Sequence, residues 1–187
     1  MTLQQKLLAK KSKKGFTLVE LVVVIAILAI LAAIAIPMVV NIIQSASDSS
    51  GASQAATLSQ ECKNVYAGVK SGTINSTSKA SDGSAVNSWA PAKTATAGEK
   101  AKWANAVKVS EVMSYAGLKF TLGDDYWYVA GNSVANHARG DIVFFEGGKD
   151  GANNVSTTDY TKLTTDITLG AIYTGTAGTR PAAQQGN

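Results

Sequence analysis

The residues with the clearest chemistry lie near the N-terminus, in the stretch Gly15-Phe16-Thr17-Leu18-Val19-Glu20. Glu20 stands inside an apolar run, and no charged residue follows it from Leu21 to Ser47. A carboxylate inside a membrane helix costs on the order of 2.5–3.5 kcal/mol at the centre and less near an end. A cut between Gly15 and Phe16 would create an α-amino group with a pKa of about 8, a cation at the start of the same helix. If the chain is cut there, this amine is one candidate for a positive charge that pairs with Glu20. The alternative is that Glu20 lies at the membrane interface without a role.

The element that must position these residues is one long apolar helix. The uncharged window Leu21–Ser47 has 27 residues, and about 20 apolar residues suffice to span hydrocarbon. An ordinary secretory signal has only about 7–15 apolar residues, followed by its cleavage site. Here the proposed cut precedes the run, so the run would remain in the mature protein as an anchor.

The basic residues are concentrated before this run. Five lysines precede Gly15 without any acidic residue among them: Lys6, Lys10, Lys11, Lys13 and Lys14. By the positive-inside bias they predict a cytoplasmic N-terminus and an external C-terminal part. Without them the chain has 12 basic and 13 acidic residues and a formal charge of −1. The pI of about 9.1 therefore describes the precursor and gives no argument for nucleic-acid binding.

Taken together, Lys13-Lys14, the stretch from Gly15 to Glu20, and the apolar run with Pro37 closely resemble the class III signal of type IV prepilins. The resemblance covers about 25 residues and implies several roles. A prepilin peptidase would cleave between Gly15 and Phe16 and methylate the new N-terminus at Phe16. Glu20 would pair with the N-terminus of a neighbouring subunit, and Pro37 belongs to the assembly segment.

Beyond the anchor, the sequence predicts an α+β fold. The long helix has a membrane or fibre-core half and then an amphipathic half, with a kink or loosened segment expected near residues 33–37 because of Pro37. The amphipathic half carries an apolar stripe at three- and four-residue spacing. One extra helix begins at a capping box, Thr96 to Glu99, and runs to about Ala116. The helical stripe consists of Ala55, Leu58, Cys62, Val65, Tyr66 and Val69.

The remaining chain predicts an antiparallel sheet of about four strands, against which the amphipathic half of the helix packs. The intervening residues 71–98 are predicted to form a loop, with Trp89 as its tether. The expected division is a removed leader at residues 1–15, a membrane and fibre-core helix at 16–43, and an extracellular globular domain at 44–187. The four predicted strands are Leu118–Leu122, Tyr126–Ala130, Ile142–Glu146 and Ile167–Tyr173.

No catalytic constellation, cofactor site or metal site is predicted. Cys62 is the only cysteine, so an intrachain disulfide is impossible and a small buried hydrophobe is expected. Many pilins of Gram-negative bacteria close their C-terminal loop with a disulfide, and this departure leaves open what holds the C-terminal strands. His137, the only histidine, is expected in a solvated loop. The oxygen-bearing residues near Asp150 suit a solvated turn better than a calcium site.

The sequence therefore predicts a structural, non-enzymatic subunit of a type IV pilus. Its expected partners are other copies of the pilin, the prepilin peptidase, the pilus assembly platform and, before assembly, the cytoplasmic membrane; no nucleic acid is expected. The fibre would serve motility, adhesion or biofilm formation at the cell surface. One alternative is a pseudopilin of a type II secretion or competence system. Another, of a different class, is a membrane-anchored extracellular binding module.

Overall fold

The computed structural model describes residues 15–123, 126–134, 136–151, 153–176 and 178–181. The chain divides into two compact units, Met1–Ala46 and Ser47–Asn187, called here the N-terminal unit and the globular unit. Helix α1 (Leu18–Ser71) contributes residues to both. The predicted α+β class is confirmed, because the described residues combine this long helix, three shorter α-helices and short antiparallel strands.

The N-terminal unit is apolar on every side of its helix. From Leu18 to Ala46 all residues are exposed, and the large apolar side chains are between 49% (Val22) and 78% (Leu18) exposed. A helix that is hydrophobic all round requires a surrounding other than water. Pro37 lies inside α1, which continues through it without a break; the predicted loosening there does not interrupt the helix.

The globular unit buries one side of α1, as the apolar stripe predicts. Leu58, Cys62, Val65 and Val69 are fully buried, and the charged Lys63 and Lys70 are exposed. Tyr66 is partly buried against the same core. The buried positions of the helix are Gly51, Ala55, Leu58, Ser59, Cys62, Val65 and Val69.

The sheet is smaller than predicted and differently composed. Its three antiparallel strands, β1 (Trp127–Ala130), β2 (Ile142–Phe144) and β5 (Tyr160–Lys162), have the order β2-β1-β5. A separate two-stranded hairpin joins β3 (Lys149–Asp150) to β4 (Asn153–Asn154). The predictions of β1 and β2 are confirmed with shorter bounds, whereas β3, β4 and β5 were not predicted.

The predicted extra helix is two helices, α2 (Ala97–Ala106) and α3 (Val109–Ala116). The predicted capping box begins α2, since the Thr96 hydroxyl accepts from the Glu99 amide and the Glu99 carboxylate accepts from the Thr96 amide. Val107 and Lys108 between the helices have extended backbones. The Val107 carbonyl accepts a 2.8 Å hydrogen bond from the Leu169 amide. Pairing with a distant segment therefore overrides the helical periodicity.

The predicted strand Ile167–Tyr173 is wrong, because helix α4 (Leu169–Thr174) occupies most of it. Thr168 caps α4 by accepting from the Ala171 amide, and Gly175 ends it with a φ of 74°. The predicted strand Leu118–Leu122 is also wrong: these residues form no strand. After the positive φ of Gly117, the Leu118 amide donates back to the Met113 carbonyl, and this helix-ending turn replaces sheet pairing.

The predicted loop at residues 71–98 is confirmed in character and is well anchored. Trp89 is 6% exposed, and its ring contacts that of Tyr115 edge-on at 5.8 Å between centroids. Val86 and Ala90 are buried with it. The tryptophan therefore holds a loop of mainly small and polar residues on α3.

Candidate functional site

The N-terminal start of α1 is held by a reciprocal hydrogen-bonded cap between Thr17 and Glu20. The Glu20 Oε2 atom accepts from the Thr17 amide at 2.9 Å and from the Thr17 hydroxyl at 2.7 Å. In return, the Thr17 Oγ1 atom accepts from the Glu20 amide at 3.2 Å. This arrangement is a capping box, which satisfies amide groups left without partners in the first helical turn.

This cap gives Glu20 an intrachain role that the sequence interpretation missed. The pattern Thr17-x-x-Glu20 is the same signal that located the start of α2 at Thr96-x-x-Glu99. Oε2 of Glu20 accepts two of the three hydrogen bonds of the cap, and the Glu20 amide donates the third. The cap therefore fixes the carboxylate beside the residue that follows Phe16, at the positive end of the helix dipole.

The remaining predicted site residues are accessible. Gly15 is exposed, and a Cβ built on it would meet no atom within 4 Å. Phe16 is 87% exposed, and Pro37 lies on the exposed apolar part of α1. The Gly15–Phe16 bond lies before the helix, in backbone without regular structure. A bond in such a segment can enter the active site of a protease without unwinding a helix.

Among the described residues, α1 is the one helix that is long and apolar enough to cross a membrane. The mean hydropathy of its most apolar 18-residue window is 3.1. None of that window is buried within the chain. The side chains of the N-terminal unit are thus available to lipid or to other protein molecules.

The aromatic trio Tyr126-Trp127-Tyr128 does not form one binding platform, because Trp127 and Tyr128 are neighbours in β1 and lie on opposite faces of the sheet. Trp127 is 3% exposed and stacks on Phe120 at 5.3 Å between ring centroids. Tyr128 contacts Phe145 on the other face of the sheet. The three rings serve both sides of the sheet, so they present no common surface to a stack of bases.

The region near Asp150 lies in the exposed β3–β4 hairpin. Among the described residues, no group of three or more His, Cys, Asp or Glu side chains could hold a metal ion. His137 is half-buried, not fully solvated as expected, because its ring lies against the edges of Phe145 and Tyr160 at 6.1 and 6.3 Å between centroids. It contributes to a small aromatic cluster.

Cys62 is a buried thiol, as predicted. It is 0% exposed, and burial raises its pKa to about 12. Because the thiolate is the reactive form, this side chain is inert at neutral pH.

A groove of about 390 Å³ in the globular unit lies between α1 and β2. Ala52, Ala56 and Phe144 line it. Its charged side chains, Lys63 and Asp141, form an ion pair of 2.7 Å. The groove is therefore mainly apolar, and its charges neutralise each other.

Comparison with known proteins assigns the N-terminal segment. Residues 10–36 match the model of the prokaryotic N-terminal methylation motif. No curated protein and no solved structure matches the chain. The matched segment contains Gly15, Phe16 and Glu20, and the motif implies processing by a prepilin peptidase and assembly with other pilin-like subunits. With this class III signal at residues 10–36 and a long apolar N-terminal helix, the chain fits the type IV pilin-like proteins.

Proposed function

We propose that the chain is the structural subunit of a type IV pilus. The observation that carries this proposal is the N-terminal unit. A methylation motif covers the start of α1, and the large apolar side chains from Leu18 to Ala46 are all exposed. The leader, residues 1–15, is removed. Residues 16–43 wait in the membrane and then form the fibre core, and residues 44–187 form the external domain. The resulting homopolymer serves motility, adhesion or biofilm formation.

Assembly needs more than hydrophobicity. Moving the apolar helix from lipid into a bundle of identical helices brings little hydrophobic gain, because lipid tails are as apolar as the bundle. Packing and electrostatics must therefore favour the fibre. The α-amino group of Phe16 and the carboxylate of Glu20 supply the opposite charges, paired between neighbouring subunits.

The cap on Thr17 makes a sharper test of this pairing possible. We expect Glu20→Gln to keep a side-chain oxygen that can accept from Thr17 while removing the charge. Thr17→Ala removes the hydroxyl of the cap and keeps the Glu20 charge. If the charge pair drives assembly, Glu20→Gln reduces surface fibres at least about tenfold, the effect of losing about 1.4 kcal/mol or more of binding free energy at the subunit contact if fibre yield follows that affinity. Thr17→Ala reduces them less.

Fibres are sheared from cells and counted by immunoblotting against total subunit. Intact-mass spectrometry of the same samples reads the cleavage between Gly15 and Phe16 and the added methyl group. If Glu20→Gln gives a normal fibre yield and Thr17→Ala loses fibres, Glu20 acts in assembly as a helix cap and not through an intermolecular charge pair. A membrane-retained, processed chain that forms no surface fibres would favour a pseudopilin, which carries the same motif. A mature mass that still includes residues 1–15 would favour the anchored binding module.

A further inference from the structure

We propose that residues 178–181, called here the C-terminal strap, close the globular unit without a covalent bond, with Arg180 as the fastening residue. The chain has a single cysteine, so no intrachain disulfide can hold its C-terminal region. The structure shows three sets of noncovalent contacts in its place: a backbone ladder at residues 165–169, the close approach of Gly178 to the end of α2, and the contacts of Arg180 with Ser88 and Glu111.

The first attachment is a backbone ladder that precedes the strap. The Leu169 amide donates to the Val107 carbonyl at 2.8 Å, and the Val109 amide donates to the Ile167 carbonyl at 3.0 Å. The Ser110 amide donates to the Thr165 carbonyl at 3.0 Å. These bonds fix residues 165–169 against the α2–α3 junction, with Val107, Val109 and Leu169 fully buried.

The second attachment is the close contact between Gly178 and the end of α2. The Gly178 amide donates to the Thr168 Oγ1 atom at 3.2 Å. A Cβ on Gly178 would overlap the carbonyl group of Asn105 and lie 2.6 Å from the Ala106 amide nitrogen. Only a glycine therefore allows the strap to lie this close to the end of α2.

The third attachment is the Arg180 guanidinium, which joins two separate elements. Its Nη1 atom donates to the Ser88 carbonyl at 2.8 Å, next to the buried Trp89. Its Nη2 atom pairs with Oε1 of Glu111, while Oε2 of Glu111 accepts from the Lys108 amide at 2.9 Å. The planar fork of arginine suits this divergent recognition, and the point charge of lysine does not.

These attachments differ in strength. The ladder is buried at Val107, Val109 and Leu169. The Arg180 side chain, in contrast, is 37% exposed and that of Glu111 is 19% exposed. The strap also borders a cavity of about 380 Å³, lined by Ala106, Lys108 and Thr168. Residues 178–181 lie beside this cavity, and Arg180 provides their side-chain contacts with Ser88 and Glu111. The strap therefore opens locally while the ladder and the core stay closed.

Hydrogen–deuterium exchange on the full chain in detergent micelles tests this proposal. In Arg180→Gln we expect the Gly178 amide and the amides of Trp89 and Ala90 to exchange about five- to tenfold faster than in the parent chain. The amides of Val109 and Ser110 and those from Leu58 to Val69 keep the parent rates. Arg180→Lys is expected to be intermediate, because it keeps the charge and loses the fork.

Two further variants complete the design. Glu111→Gln keeps an acceptor for the Lys108 amide and removes the charge, so it should accelerate the same amides as Arg180→Gln. Lys93→Gln removes an exposed cation of the same loop and should change none of them. Parent rates at Gly178 in Arg180→Gln would overturn the fastening role. Faster exchange throughout Leu58 to Val69 would overturn the local strap and make Arg180 part of the core. The readout does not require fibres, so either result is independent of the proposed function.

Discussion

The two parts of helix α1 contain the same kinds of apolar residue in opposite surroundings. From Leu18 to Ala46 the apolar side chains cover every side of the helix and all are exposed. From Ser47 to Ser71 they follow one stripe, which is buried against the core of the globular unit. The difference shows how periodicity separates two uses of hydrophobicity: a one-sided stripe is covered by the chain itself, and an all-round surface requires other molecules.

The largest expected effect comes from a matched pair of leucines on the two parts of α1. Leu58→Ala removes a fully buried side chain and should lower the free energy of unfolding by about 2–5 kcal/mol. Leu28→Ala, at a position 57% exposed, should leave it unchanged. Denaturant unfolding of the full chain in detergent can be followed by the fluorescence of Trp89, Trp103 and Trp127, all buried in the globular unit. Equal losses in the two variants would remove the distinction between the two parts.

A smaller effect is expected at two tyrosines whose hydroxyl groups differ in hydrogen bonding. The rings of Tyr66 and Tyr173 lie 5.0 Å apart. The Tyr66 hydroxyl donates to Asn105 at 3.0 Å. The buried Tyr173 hydroxyl has no hydrogen-bond partner among the described residues, and burial raises its pKa.

We therefore expect opposite signs for the same chemical change at the two tyrosines. Tyr173→Phe should raise the free energy of unfolding by about 1 kcal/mol, since a buried hydroxyl without a partner is removed. Tyr66→Phe should lower it by a similar amount, about 1 kcal/mol, because a hydrogen bond is lost. Chemical denaturation of both variants decides the matter, and a loss of stability in Tyr173→Phe would mean that its hydroxyl is satisfied.

The smallest expected effect concerns the ion pair between Lys63 and Asp141 in the globular unit. Burial disfavours the charged form of Asp141, but hydrogen bonds from Lys63 and the Ala138 amide outweigh it and hold its pKa below the usual value. Because the folded pKa is the lower one, this stabilisation is complete above the unfolded pKa of about 3.9 and is lost as the pH falls through the folded value.

Asp141→Asn should therefore cost about 1 kcal/mol at pH 7 and progressively less in acid. The free energies of unfolding of the two proteins should converge as the pH falls through the lowered pKa of Asp141. The exposed pair Lys108–Asp166, with side chains 45% and 80% exposed, provides the control. Asp166→Asn should have almost no effect at either pH. A constant difference between parent and Asp141→Asn from pH 7 to pH 2 would show that the carboxylate charge is not the stabilising feature.

The sequence was sufficient to predict secondary structure and burial wherever local periodicity agreed with tertiary packing. The stripe from Ala55 to Val69 and the capping box at Thr96 were predicted because their signals lie within a few residues. In the segment beginning at Leu169, apolar residues at positions 169, 172 and 173 have helical spacing, but the β-branched and aromatic content favoured a strand. The Thr17–Glu20 cap has the same local signal, but a carboxylate inside an apolar run equally indicates an intermolecular partner, and the sequence does not separate the two roles.

Long-range contacts could not be predicted in the same way. The break at Val107 depends on backbone pairing with Leu169, 62 residues later in the chain. Arg180 reaches the Ser88 carbonyl across 92 residues. Nothing in the local composition around either residue specifies its partner, since backbone carbonyls are present at every position and only the completed fold selects one.

Cys62 is the only cysteine and its thiol is buried. Its reaction with an alkylating reagent therefore reports the unfolding of each copy of this protein. In the closed globular unit the thiol should resist alkylating reagents at neutral pH, and it becomes reactive only when α1 separates from the core. Mass spectrometry after brief exposure to such a reagent would count the subunits that have opened, without any engineered label. The same measurement could be made on membranes and on sheared surface material, which would compare the subunit in the two states that the proposed function requires.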